Sequence, residues 1–255
     1  MRSDATCSPD VLILLCGQNE NISSEFLPGQ SATGSLMKGL PCCEQSVCRE
    51  HSKIKGGNLL IFWKQKLVFL ATPKAGSSAI EAALEPLAEV AIKRPAELKH
   101  ISAQDFNRHF APFLAARSGE SFTTVALMRQ PIDWLRSWYR FRLRDDDEDP
   151  NHPMIGRSFE QFAQDYMSDP TPAHANFGTQ SEFLCDAAGK PNVDTIFRYD
   201  QIDSFVHFLE EQLDFAITLP RVNVPPAVDV ALSEQTQADL TQAMARDIAL
   251  YNSLG

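Results

Sequence analysis

Apolar and polar residues follow no regular pattern through the first part of the chain. Up to about residue 57 the chain is rich in Ser, Gly, Asn and Cys, with little periodicity. A stretch of this kind buries too little surface to offset the entropy of ordering it, so residues 1–57 are expected to form an irregular or disordered extension. The pattern changes after Lys55-Gly56-Gly57, where Leu59-Leu60-Ile61-Phe62-Trp63 opens a folded domain expected over 58–255. Leu67-Val68-Phe69-Leu70-Ala71 is a short continuous apolar run, as expected of a strand buried on both faces. A loop follows, and then Ile80, Ala83, Leu84 and Leu87 recur at helical spacing. A second helix is predicted from Ser102 to Ala116, and a second buried strand at Phe122–Met128. Pro131 suits the first turn of a helix, where its missing N–H removes no bond; Ile132, Leu135, Trp138 and Tyr139 continue that helix. Arg144–Asp149 followed by Pro150 reads as a solvated loop. Further helices are predicted at Ser158–Met167, Ile202–Leu213 and Ser233–Asn252, with a strand at Thr195–Arg198. The alternation predicts a three-layer α/β fold around a central, mostly parallel sheet.

Composition narrows the function. At 255 residues and 44% hydrophobic, the chain can bury one sizeable core. Its formal net charge is −10 and it shows no basic stripe, which argues against a nucleic-acid partner. No apolar run approaches the roughly 20 residues that span a bilayer. The run Val11-Leu12-Ile13-Leu14-Leu15-Cys16 is short even for a signal peptide, so a cytoplasmic protein is expected. Cys7, Cys16, Cys42, Cys43 and Cys48 crowd the N-terminal extension, leaving Cys185 alone in the domain. Cys42, Cys43, Cys48 and His51 lack the paired spacing of a zinc site, although a metal-binding module built on them is one reading of that segment.

Two segments carry chemistry. The first is Thr72-Pro73-Lys74-Ala75-Gly76-Ser77-Ser78, lying between a strand and a helix. The N–H groups of a helix's first turn and its dipole attract an anion, Gly76 permits close approach, Ser77 and Ser78 add hydroxyls and Lys74 adds a full positive charge. Read alone, the segment is equally an ordinary turn with a helix cap. It is not a G-x-x-x-x-G-K-[ST] loop, because its lysine precedes the glycine and the first glycine is missing. The second segment places Arg129 at the end of a buried strand and Ser137 on the next helix. The arginine offers a planar fork to a phosphate and the serine a hydroxyl. Taken singly, Arg129 could instead pair with Asp133, and Ser137 could be a surface residue.

Residues 67–81, Leu-Val-Phe-Leu-Ala-Thr-Pro-Lys-Ala-Gly-Ser-Ser-Ala-Ile-Glu, resemble the 5′-phosphosulfate loop of sulfotransferases that use 3′-phosphoadenosine 5′-phosphosulfate (PAPS). The resemblance implies that Pro73, Lys74, Ala75, Gly76, Ser77 and Ser78 hold the donor. Lys74 would contact the bridging oxygen, and the two serines the 5′-phosphate. The stretch from Val125 to Tyr139 is similar to the same family's 3′-phosphate motif, Arg-x-Pro-x-x-x-x-x-Ser-x-Tyr, and matches it at Arg129, Pro131, Ser137 and Tyr139. Gln130 and Trp134 depart from the usual residues there. Lys99-His100-Ile101-Ser102, Ile196-Phe197-Arg198-Tyr199-Asp200, Asn223 and Asp247 resemble segments of the Golgi-type carbohydrate branch and its bacterial relatives. The family implies a P-loop-like fold, sulfuryl transfer from PAPS without a metal, and a carbohydrate or small-metabolite acceptor.

Sulfuryl transfer needs in-line geometry, stabilised charge on the leaving oxygens and a base for the acceptor's proton. Lys74 is the candidate for the leaving group. His100, the only histidine in a family-like segment, is the candidate base, since imidazole exchanges protons near neutral pH. His109, His152, His174 and His207 lack such context, and Trp63, Trp134, Trp138 and Tyr139 read as core. The loops Arg144–Arg157 and Thr171–Ser181 are expected to select the acceptor, and the acidic run Asp145–Asp149 argues against a strongly anionic one. Two other functions compete: a P-loop kinase or NTPase requiring ATP and Mg²⁺, and a non-catalytic nucleotide-binding protein.

Overall fold

A computed structural model of the chain describes residues 58–144, 152–220 and 228–254. The expected N-terminal extension with its cysteines and His51, the acidic run Asp145–Asp149 and Asn223 lie outside the described residues.

Five strands form one sheet: β1 (Leu59–Phe62), β2 (Leu67–Leu70), β3 (Val90–Ile92), β4 (Thr123–Met128) and β5 (Thr195–Arg198), in the order β3-β1-β2-β4-β5. The helices are α1 (Ser77–Leu84), α2 (Ala96–Lys99), α3 (Ala103–Asp105), α4 (Ala111–Ser118), α5 (Pro131–Arg142), α6 (Phe159–Met167), α7 (Gln180–Leu184), α8 (Ile202–Leu213), α9 (Glu234–Ala243) and α10 (Ala245–Ser253).

The sheet is mixed rather than mostly parallel. β2–β4 and β4–β5 are parallel, whereas β1 runs antiparallel to both β2 and β3. The reason is local. Only Trp63-Lys64-Gln65-Lys66 joins β1 to β2, and a parallel crossover needs a dozen or more residues, so these strands must close as a hairpin.

Residues of each central strand alternate between two cores. Leu59, Ile61, Val68, Leu70, Ala126 and Met128 pack with α3, α4, α7 and α10. Leu60, Phe62, Leu67, Phe69, Val125 and Leu127 pack with α1 and α8 on the other face. Helices therefore cover both faces of the sheet, which is why its strands read as continuous apolar runs. A third cluster, centred on Trp134, Trp138, Tyr139 and Phe162, joins α5 and α6 to α9.

The helix predicted over Ser102–Ala116 is present as α3, a π turn at Phe106–Phe110, and α4. Ser158 begins α6 with a capping box, in which its side chain and that of Gln161 bond each other's backbone N–H. The last predicted helix is two helices, α9 and α10, broken at Met244.

Candidate functional site

The β2–α1 loop turns tightly. Thr72 N donates to Leu70 O at 3.0 Å and Ala75 N to Thr72 O at 3.3 Å. Ala75 is buried in the core and anchors the loop from below. Lys74 and Gly76 both take left-handed backbone, with φ of 61° and 84°. Gly76 is the N-cap of α1, and the first turn of that helix carries no acidic residue. Its N–H groups, Ser77 and Ser78 thus present positive potential without a competing carboxylate. The Lys74 ammonium lies 4.0 Å from the centroid of Phe141 and 5.8 Å from that of Trp138, both on α5.

Arg129 follows directly on β4. Its backbone is held twice by one side chain: Arg129 N donates to Gln180 Oε1 at 2.9 Å, and Gln180 Nε2 donates to Arg129 O at 2.8 Å. The guanidinium lies 5.1 Å from the centroid of the Tyr199 ring. Burial pushes the Arg129 pKa down; Tyr199 and Asp133 oppose this, and Arg140 adds to it by like-charge repulsion. Asp133, the alternative partner in the sequence, pairs instead with Arg136 at 2.7 Å, and among the described residues Arg129 forms no salt bridge. Gln130, where Asn or Asp is more usual, caps α5 by accepting from Asp133 N at 2.8 Å. Ser137 is half-buried in the second turn of α5.

Two contacts join the segments. Trp134 Nε1 donates to Pro73 O at 2.8 Å, tying α5 to the β2–α1 loop. Tyr199, just beyond β5, packs against Gly76 so closely that a Cβ there would lie 2.2 Å from its Cε2, and the same ring carries Arg129. The two sequence motifs therefore meet at the C-terminal ends of three parallel strands, β2, β4 and β5, where ligands of open α/β sheets bind.

His100 is bonded to the residue that precedes the loop. Its Nδ1 is 2.8 Å from Ala71 O, and a carbonyl can only accept, so the proton sits on Nδ1 and Nε2 is the basic nitrogen of the neutral ring. The neighbouring Lys99 is buried. Desolvation pushes its pKa down, opposed by the charge of Glu81 on α1. A cavity of about 350 Å³ opens here, with Thr72, Pro73, His100, Trp134, Trp138 and Phe177 in its wall. Trp134 and Trp138 are therefore both core and cavity wall. Of the two expected selectivity loops, Asn176–Gln180 of the second lines this cavity.

The remaining family-like segments support the site from behind. Asp247, only 2% exposed, accepts from Gln180 N at 3.0 Å and Ser181 N at 2.8 Å, capping α7. Arg198 Nε and Nη2 donate to Tyr251 O, and Tyr251 OH donates to Asp200 Oδ1 at 2.6 Å. That bond and burial, with burial the larger cause, push the Tyr251 hydroxyl up to about 12. Nothing local in the sequence marks Gln180, Arg140 or the Trp134 bond, whereas Tyr199 lies within the family-like segment Ile196–Asp200.

Among the described residues no group of three or more His, Cys, Asp or Glu could hold a metal ion, and no helix is long and apolar enough to cross a membrane. No curated protein and no solved structure matches the chain. A family model described as "Sulfotransferase family" matches residues 58–251, a span that includes both motifs, His100 and Asp247. The chain belongs to the sulfotransferase family.

Proposed function

We propose that the domain over 58–255 transfers a sulfuryl group from PAPS to a hydroxyl, or an amine, of a carbohydrate or small metabolite. The observation that carries this reading is the meeting of the two motifs: Pro73 is bonded to Trp134, and Gly76 and Arg129 share the Tyr199 ring. The residues suit a donor with two phosphate ends. The α1 N-terminus, Ser77 and Ser78 would take the 5′-phosphosulfate, with Pro73, Ala75 and Gly76 shaping the loop around it. Arg129 and Ser137 would take the 3′-phosphate, with Arg140 adding positive charge nearby. In the transfer, the acceptor oxygen bonds to sulfur as the bridging S–O bond breaks. His100 Nε2 takes the acceptor's proton, and Lys74 with the α1 N-terminus meets the charge left on the 5′-phosphate.

Calorimetry with PAP, the desulfated product, against ATP–Mg²⁺ tests the reading. PAP should bind without metal, and Arg129→Ala should weaken it by about 1.5–3 kcal/mol, the worth of a charge-assisted hydrogen bond. Lys74→Ala should lower kcat by about 10²–10³, as loss of one charge-stabilising group does. Binding of ATP–Mg²⁺ with none of PAP would replace this reading with the kinase one.

A further inference from the structure

The cavity beside His100 is chemically divided. Its inner wall is aromatic. Trp134 and Trp138 are 2% and 1% exposed, and Phe177 stacks on Trp138 with centroids 4.3 Å apart and planes 15° from parallel. Of these rings Phe177 alone is partly exposed, and its surface favours a compact apolar body through dispersion and area burial. Its mouth is acidic. Glu97 of α2, Asp105 of α3 and Glu182 of α7 all line the cavity and all are exposed, against a single arginine, Arg142. Two of the three also serve the fold: Asp105 accepts from Ser102 Oγ, and Glu182 accepts from Thr179 N. Glu97 has no such task among the described residues. A second, independent feature lies deeper. Thr72 lines the same cavity at 1% exposure, and its Oγ1 has no protein partner among the described residues; the same holds for Trp138 Nε1. Buried polar atoms left unpaired by the protein are unfavourable, and these two mark where a ligand's polar group belongs.

We infer that the acceptor is a small hydroxylated amine. Its apolar body lies against Phe177, its hydroxyl meets His100 and Thr72, and its ammonium group remains at the mouth among Glu97, Asp105 and Glu182. The cavity, about 350 Å³, is of small-molecule size. This inference rests on the sulfotransferase reading of the site. The sulfuryl group goes to the hydroxyl: the acceptor O–S bond forms, the donor's bridging S–O bond breaks, and the proton passes to His100 Nε2. The ammonium group takes no part in bond making. The same mouth works against sulfated or carboxylated acceptors, because like charges face each other there.

The test uses the full chain with PAPS and two charge-graded series of acceptors. One is tyramine, 4-ethylphenol and 3-(4-hydroxyphenyl)propionate; the other is glucosamine, glucose and glucuronate. In at least one series kcat/KM should fall by about fivefold per unit of charge from cation to anion at low ionic strength, and the gradient should flatten in high salt. Glu97→Gln should cut the cation-to-neutral ratio about threefold, with PAP affinity unchanged. Binding of PAP without turnover of either cationic acceptor, or with the anionic acceptors preferred, would overturn the acceptor inference and leave the donor reading standing. Failure to bind PAP would overturn the donor reading, and the acceptor inference with it.

Discussion

Gly76 shows how one position serves both the loop and the site. Its φ of 84° lies where a side chain is strained, and its Cα faces the Tyr199 ring at a distance that leaves no room for a methyl group. Gly119 provides the comparison: its φ is 77°, yet a Cβ there would meet nothing within 4 Å. Gly119→Ala should therefore lose only the left-handed strain, about 1 kcal/mol, with PAP affinity intact. Gly76→Ala carries the same strain and must also displace Tyr199, the ring that carries Arg129. We expect a further loss of about 1–3 kcal/mol in denaturant unfolding and at least about a tenfold rise in the Kd for PAP. Equal PAP affinities in the two variants would separate Tyr199 from the donor site. The glycine itself was legible in the sequence, because a strand–turn–helix with Lys and Gly is a recognisable pattern. The reason for the glycine was not, since Tyr199 lies more than a hundred residues away. Nor does anything in Pro73-Lys74-Ala75 announce that Lys74 takes left-handed backbone.

Elements show the same division between local and non-local information. β2, β4, β5, α6 and α8 were legible because each is a run of one period bounded by clear signals; Ile202–Leu213 and Thr195–Arg198 appear with the bounds expected. The antiparallel hairpin was also written in the four residues between β1 and β2, a spacing that outweighs the apolar runs pointing to parallel pairing. Edge strand β3 has three residues and a half-exposed pattern, too little for periodicity to register. α7 has five residues, too few for periodicity to register, and its first two fall in the expected Thr171–Ser181 loop. Yet α7 connects α10 to the site: Asp247 caps it, and its first residue, Gln180, grips both backbone groups of Arg129. Asp247→Ala leaves two buried N–H groups without partners and should lower stability by about 2–4 kcal/mol. It should also raise the Kd for PAP, because the grip on Arg129 loosens. Leu209→Ala, in the core on the other face of the sheet, should lose a similar 2–5 kcal/mol without that rise. Urea unfolding beside PAP titration of the two variants separates general destabilisation from positioning of Arg129.

At the scale of the whole molecule, local charge and net charge differ in sign at the two motifs. The chain carries a formal −10, Lys74, Arg129 and Arg140 place positive charge on the two motifs, and Glu97, Asp105 and Glu182 line the cavity beside His100. On the proposed function, a donor with two phosphate ends would approach a net-negative molecule to reach a small positive site. Which field governs its approach depends on the screening length, ~30 Å at 0.01 M salt and ~8 Å at 0.15 M. At low salt the ligand senses the whole acidic protein and is repelled. At moderate salt that long-range field is screened, while the contacts at Arg129 and the α1 N-terminus act at hydrogen-bond range and persist. The association rate of PAP should therefore rise, not fall, between 0.01 M and 0.15 M salt, while its dissociation rate rises only as direct ion contacts weaken. This is the reverse of the salt dependence of a ligand steered by opposite net charge. Stopped-flow binding across that range measures both rates. A monotonic fall in the association rate would mean that the local cations dominate at long range, and that the protein's acidity resides where the donor does not pass.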